Sequence, residues 1–344
     1  SSVLLRSSFF IFVFYDILIG NNVWVTALQL QMREVPMYYF IVNPNAHGGR
    51  GKKIWRKLER QIIRSGIRYE AYQTEEPGDA RRIAAALTAD MQEPATIVAV
   101  GGDGTVNEVL NGLAISERLT FGYIPTGYGN DLARGLKLSG KPGKCLKRIL
   151  NPAEICRVDY GILSYEDEEP VYSRFMVSSG IGFDAAVCHR LLDKNGRGGL
   201  RQIPGRGRYV LAGLKQLVTA KASRGYLILD GVRRIEFNHI YFVSVHNHGS
   251  EGGGFLFAPR AVCDDGELEL CVAHTASKLR LFPVLFDAYR GHLGRRRGVH
   301  FYRCKEAVIH VAQPMPVHAD GENCFCQEEV RVRCVKKKLR MILQ

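Results

Sequence analysis

The chain has 344 residues, more than a single hydrophobic core usually serves, so two domains are expected. Its 46% hydrophobic and 24% charged residues exclude disordered and fibrous classes. A formal net charge of +13 directs the surface toward anions, whether nucleic acid, nucleotide phosphates or an acidic membrane face, and does not choose among them.

Residues 1–36 stand apart as an apolar extension. The run from Phe9 to Phe14 after Arg6 imitates a signal peptide, but Asp16, Asn21 and Asn22 break it. The longest uncharged stretch, 17–32, has 16 residues, short of the roughly 20 a spanning helix needs. Met32 and Met37 stand before the first clear strand. The extension is therefore expected to lie upstream of the true start and to be dispensable for activity.

A βα rhythm begins at residue 38. The apolar run 38–42 reads as a strand stopped by Asn43 and Pro44. Ile54, Leu58 and Ile62 recur at fourfold spacing and predict a helix. A strand over 68–73, a helix over 79–89 and a continuously apolar strand over 96–100 follow. Val106, Val109, Leu110 and Leu113 form a helical stripe, and 119–124 a further strand. Such alternation predicts an open α/β sheet with ligands at the carboxyl ends of its strands.

Past residue 150 the rhythm changes. Segments 171–177, 225–229, 240–245, 267–272 and 308–311 read as strands, with helices only at 209–220 and 279–289. Runs of strands favour an antiparallel sheet or sandwich. The expected organisation is an α/β domain over 37–150, a β-rich domain over 151–312 and a C-terminal segment, 313–344, returning to the first.

Three glycine-rich turns fall at carboxyl ends of predicted strands. The strongest is Gly101-Gly102-Asp103-Gly104-Thr105, between a buried strand and an amphipathic helix. Glycines let the backbone approach a polyphosphate, and N–H groups at a helix start face the anion. A carboxylate there, Asp103, calls for an intervening divalent cation or a proton-accepting task. The other two turns run from Asn43 and Pro44 through Gly49 and Gly51, and from Pro125 through Gly127, Gly129, Asn130 and Asp131. Together they describe a nucleotide cleft with Asp103 and Asp131 near the phosphates.

Gly101 to Thr105, followed by Val106-Asn107-Glu108-Val109, resembles the GGDGTxNEV signature of the diacylglycerol kinase catalytic domain, shared by sphingosine, ceramide and bacterial lipid kinases. The turns at 43–51 and 125–131 resemble that family's other nucleotide loops, although Tyr128 stands where a small hydroxyl residue is usual. Further on, Gly182-Phe183-Asp184-Ala185 resembles a G-F-D-A segment, and Gly252-Gly253-Gly254 with Ala258-Pro259 and Asp264-Asp265-Gly266 resembles the GGG…AP…DDG pattern. Asp320-Gly321-Glu322 resembles the C-terminal DGE motif. The resemblance implies an α/β NAD kinase-like domain, a β-sandwich and ATP with Mg²⁺. It also implies transfer of the γ-phosphoryl group to a lipid hydroxyl, foremost that of diacylglycerol.

It further implies nucleotide contacts from the three turns, Glu108 and Glu322, a metal held near Asp103 and Asp131, and Asp265 as general base with Glu267 as its partner. Asp103 competes for the base role, and Asp184 reads equally as a helix cap. The expected partners are a lipid substrate at the membrane surface, anionic phospholipid and a second copy of the chain, with no nucleic acid. Nine cysteines without metal-ligand spacing fit a reduced cytoplasmic setting, and the resemblance adds peripheral membrane association. His246, His248 and His318 lack partner residues at metal-binding spacing. Two other readings remain open: a soluble-substrate kinase of the NAD kinase type, and a catalytically silent binder driven by the positive charge.

Overall fold

The computed structural model describes residues 36–192, 207–275 and 277–343. The expectations placed on the N-terminal extension lie outside the described residues.

Strand β1 (Met37–Val42) pairs in parallel with β2 (Tyr69–Gln73) on one side and β3 (Ala95–Gly101) on the other, and β4 (Leu119–Pro125) pairs in parallel with β3. Every residue of β3 and β4 is buried, which explains their unbroken apolar character: helices cover both sides. On one face, α1 (Ala46–Ser65) packs Trp55, Leu58 and Ile62 against Phe40, Val98 and Ile124. On the other, α2 (Asp79–Thr88) and α3 (Asp103–Gly112) pack Ala84, Val106 and Leu110 against Ile41, Ile97 and Phe121. Two short helices follow, α4 (Asp131–Gly135) and α5 (Pro142–Leu150).

The second half supplies β5 (Ile155–Tyr165), β6 (Val171–Phe175), β7 (Ser178–Gly182), β8 (Ser223–Leu229), β9 (Arg233–His246), β10 (Leu268–His274), β11 (Val299–Cys304), β12 (Glu306–Ala319) and β13 (Glu322–Ile342). Within this half the pairings are antiparallel. Its core interleaves Phe175, Ile181, Val243, Leu270 and Val317. Helices α6 (Phe183–Leu192), α7 (Gly207–Thr219) and α8 (Leu281–Arg290) lie over Phe242, Cys271 and Ala273.

Strand β13 joins the halves. It runs antiparallel to β12 and β5, and near its end Met341 stands opposite Phe121 of β4 in parallel pairing. The architecture is thus an N-terminal open α/β layer followed by a mainly antiparallel β-sandwich.

Candidate active site

Because β1, β3 and β4 are neighbours in the sheet, the three glycine-rich turns that follow them meet at one edge. Asn43 Nδ2 donates to Thr105 Oγ1 at 3.0 Å, and the Thr126 N–H donates to the Gly101 carbonyl at 2.7 Å. His47 Nδ1 lies 3.2 Å from the Gly127 carbonyl oxygen. A Cβ on Gly127 would lie 2.6 Å from Gly102 Cα, so no larger residue fits where the second and third turns touch. Gly51 is equally confined, since its Cβ would meet the Asn43 carbonyl oxygen at 2.5 Å. The backbone at His47, Gly48 and Gly49 is left-handed, which delays the regular part of α1 past the turn.

Several polar side chains of these turns are committed to holding them. Asn130 Oδ1 accepts from the Gly127 N–H at 3.0 Å and its Nδ2 donates to the Gly127 carbonyl at 3.0 Å. Glu108 accepts from the Ala80 N–H at 3.1 Å and so fastens the start of α2. Tyr128, the departure from the usual hydroxyl residue, stacks on His47 at 4.1 Å between ring centroids and ties the third turn to the first.

Below this edge opens a cavity of about 590 Å³. One end carries Asp103, Asp131, Asp184, Glu251 and Asp320; the rest is walled largely by apolar side chains of α6, α7 and α8, with Phe255 and Phe257. Burial, and next the charge of Asp131, push the Asp103 carboxyl up to about 6. Asp131 pairs with Arg134 and accepts the Gly253 N–H at 2.9 and 3.1 Å. Hard oxygen donors from two carboxylates, crowded until each disfavours the other's charge, fit a divalent cation such as Mg²⁺. The glycine turns beside them fit a polyphosphate.

Asp320, to which the sequence gives a place in the D-G-E motif but no role, is more heavily engaged than its neighbour Glu322. Its buried carboxylate accepts the N–H groups of Met176, Val177 and Ser178 at 2.8, 2.8 and 3.1 Å, and Asn107 Nδ2 at 3.3 Å. Asn107 of the signature therefore reaches the strand junction of the second half. Glu322 sits beside the signature turn, its Oε1 3.0 Å from where a Cβ on Gly104 would stand. Burial, then Glu108 and Asp320, raise its ionisation above the ordinary range.

Asp265 and Glu267 require a correction. Neither lines the cavity, and Arg303 on β11 binds both carboxylates, Glu267 at 2.9 Å. Asp265 Oδ1 also accepts the Glu267 N–H at 3.0 Å, and Gly266 packs against the Lys336 side chain. This is a turn at the end of the β9–β10 loop held by its own carboxylate, and it does not bring Asp265 as base, or Glu267 as its partner, to the cavity.

The histidine reading changes too. Ligand atoms of Asp184, Glu251 and His318 lie within 4.8 Å of one another, so His318 does have carboxylate neighbours. The Gly321 N–H donates to His318 Nδ1 at 3.1 Å. A neutral ring must then carry its proton on Nε2, 3.6 Å from Asp184 Oδ2. That proton blocks metal ligation at Nε2, and the group reads as a polar wall of the cavity. Burial pushes Glu251 up to about 7, and Ser178 Oγ donates to it. Only its place before three glycines singles Glu251 out in the sequence.

A family profile for the diacylglycerol kinase catalytic domain matches residues 37–161, and one for the YegS C-terminal NAD kinase beta sandwich-like domain matches 176–343. The chain is 30% identical over 302 residues to a diacylglycerol kinase of Mycobacterium tuberculosis, covering 87% of this chain and 92% of the relative. The chain belongs to this lipid-kinase family. A diacylglycerol kinase of Bacillus subtilis is 27% identical over 288 residues, covering 82% of this chain and 88% of its own length. A solved Bacillus anthracis diacylglycerol kinase structure shares the fold, with a TM-score of 0.64 at 20% identity over 90% of this chain and 96% of that one. Membership makes the chain a phosphotransferase that uses a nucleotide. Among the described residues no helix is long and apolar enough to cross a membrane.

Proposed function

We propose that the chain transfers the γ-phosphoryl group of ATP to the hydroxyl of a membrane lipid, diacylglycerol foremost, giving phosphatidic acid. One observation carries the reading: a single cavity is lined by carboxylates, two of which, Asp103 and Asp131, belong to the glycine-rich turns, and otherwise largely by apolar walls. A lipid lying in it would place its hydroxyl at the acidic end and its chains among Phe183, Leu214 and Phe286.

In this reading the turns at 43–51, 101–105 and 125–131 bind and orient the polyphosphate through backbone N–H groups. Asp103 and Asp131 would hold Mg²⁺, whose charge offsets that of the phosphates during transfer. Asp103, which lines the acidic end of the cavity beside the signature turn, takes the proton of the lipid hydroxyl. Asp320 spends both oxygens on N–H donors, so it positions the β6–β7 junction and Asn107. The chemistry then rests on alignment and charge neutralisation.

A soluble acceptor such as NAD would leave the apolar walls of the cavity unused. The test is radiolabelled ATP with Mg²⁺ and a panel of diacylglycerol, a long-chain base and phosphatidylglycerol, with NAD alongside, separated by thin-layer chromatography. Label appearing in NAD and in no lipid refutes the proposal.

A further inference from the structure

We infer that the ends and outer faces of α7 and α8 form a docking surface for an anionic bilayer, placed so that the lipid cavity opens directly onto the membrane. The inference rests on reading that cavity as a lipid site.

Five apolar residues line the cavity and are also 41–55% exposed: Val210 and Leu214 of α7, and Phe282, Phe286 and Tyr289 of α8. Residues that face both the interior and the solvent mark the mouth. Their spacing continues outward. Val218 follows Leu214 by four residues and is 73% exposed, while Leu279 precedes Phe282 by three and is 79% exposed. Lys278 Nζ donates to the Val218 carbonyl at 2.9 Å, so the two outlying residues stand at the same edge of the helix pair. Isolated apolar residues on a surface need no explanation, but exposed apolar residues gathered on two helices where they also line an apolar cavity do.

The charges around this patch choose its occupant. Across 207–221 and 277–297 the exposed cations include Lys215, Lys221, Lys278, Arg280, Arg290 and Arg297, against one acid, Asp287. Arg296 pairs with that acid. The Arg290 guanidinium lies over the Phe286 ring at 4.7 Å, so charge and apolar surface meet at the mouth itself. A second copy of this face would set like charges against one another. An anionic bilayer offers phosphates to the cations and acyl chains to the aromatics at the matching depth. Its lipids would also reach the cavity without crossing water.

The test uses the full chain without ATP, sedimented with phosphatidylcholine vesicles or with vesicles in which a third of the lipid is phosphatidylglycerol. Binding is expected to the anionic vesicles and to weaken with added salt. The double substitution Val218→Ser and Leu279→Ser, outside the cavity, is expected to lower partitioning roughly tenfold or more. Lys278→Ser and Arg280→Ser are each expected to lower it about fivefold. Phosphorylation of a short-chain diacylglycerol below its micellar concentration should remain unchanged in all three variants, which also reports their folding. Wild-type protein that ignores anionic vesicles, or a double variant that binds them undiminished, overturns the inference. Docking without phosphorylation would instead count against the kinase reading alone.

Discussion

The backbone N–H of Gly253 donates to both oxygens of Asp131, across 122 residues of sequence. This contact ties the triple glycine of the second half to the third glycine-rich turn of the first. It explains why glycine is needed there: Gly252, Gly253 and Gly254 all have positive φ, at 59°, 83° and 108°. Any other residue at 253 would resist the conformation that aims the N–H at Asp131.

Gly253→Ala should therefore lower activity more than it lowers stability. A left-handed non-glycine residue costs about 1–2 kcal/mol. In a chain of this size that shifts Tm by only a few degrees. Displacement of the Asp131 carboxylate should reduce kcat/KM for ATP about tenfold or more, since alignment carries most of the catalysis. A variant that loses Tm but keeps kcat/KM would break the link between the glycines and the function of the third turn.

Asp103→Asn should reduce kcat by about 10²–10⁴-fold, the usual contribution of a positioned proton acceptor. The side-chain oxygen of asparagine can still accept the Leu132 N–H that Asp103 Oδ1 now accepts at 3.3 Å. Removing one of two crowded carboxylates also relieves repulsion with Asp131, so Tm should hold or rise. Nucleotide binding followed by a fluorescent ATP analogue separates lost chemistry from lost binding. Unchanged kcat would remove Asp103 as the base.

The two other acids should part company. Asp265→Asn should keep kcat within a few fold, because its carboxylate meets Arg303 at the surface, where an ion pair is worth about 0–1 kcal/mol. Asp320→Asn would turn an NH₂ group toward N–H donors. One of the pairs Val177 with Ser178, or Met176 with Asn107, would then face a donor instead of an acceptor. The cost should be about 1–3 kcal/mol, read as a lower Tm in differential scanning calorimetry. A large activity loss in Asp265→Asn with Asp320→Asn unaffected would reverse the assignment.

The sequence exposed whatever has a short period or a short motif. Strands β3 and β4 were legible because burial on both faces makes them continuously apolar, and α1 because Leu58 and Ile62 repeat at one helical face. Strand β13 was missed because its exposed positions carry charge after charge, including Lys336, Lys337 and Lys338 where its pairing with β5 shifts register, and hide the buried Val330, Val332 and Leu339. Strand β7, Ser-Ser-Gly-Ile-Gly, is buried throughout yet built from residues that favour turns. The three glycine turns were legible as a site because each is local. Asp265 was misplaced because an acidic residue precedes a glycine four times in the second half, at Asp230, Glu251, Asp265 and Asp320, and which of them faces the cavity depends on pairings between distant strands. Glu251 and Asp320 escaped for the same reason: what makes them notable is the burial and the donors that those pairings bring.

Glu251 supplies a pH signature that belongs to the fold. A glutamate ordinarily ionises near 4.5, and burial raises Glu251 to about 7, with Asp184 and Asp131 adding repulsion and the Ser178 hydroxyl opposing it. Between those values the folded chain holds a proton that the unfolded chain has released. Stability from this group is fully present below about 4.5 and is lost as pH rises toward 7. Glu251→Gln keeps a neutral side chain at every pH and should not share that loss. The Tm of the variant relative to wild type should therefore climb between pH 5 and pH 8 and level off above, measured by thermal melts across that range. Parallel curves for the two proteins would mean that Glu251 ionises as an ordinary glutamate and that the acidic end of the cavity is wetter than its burial indicates.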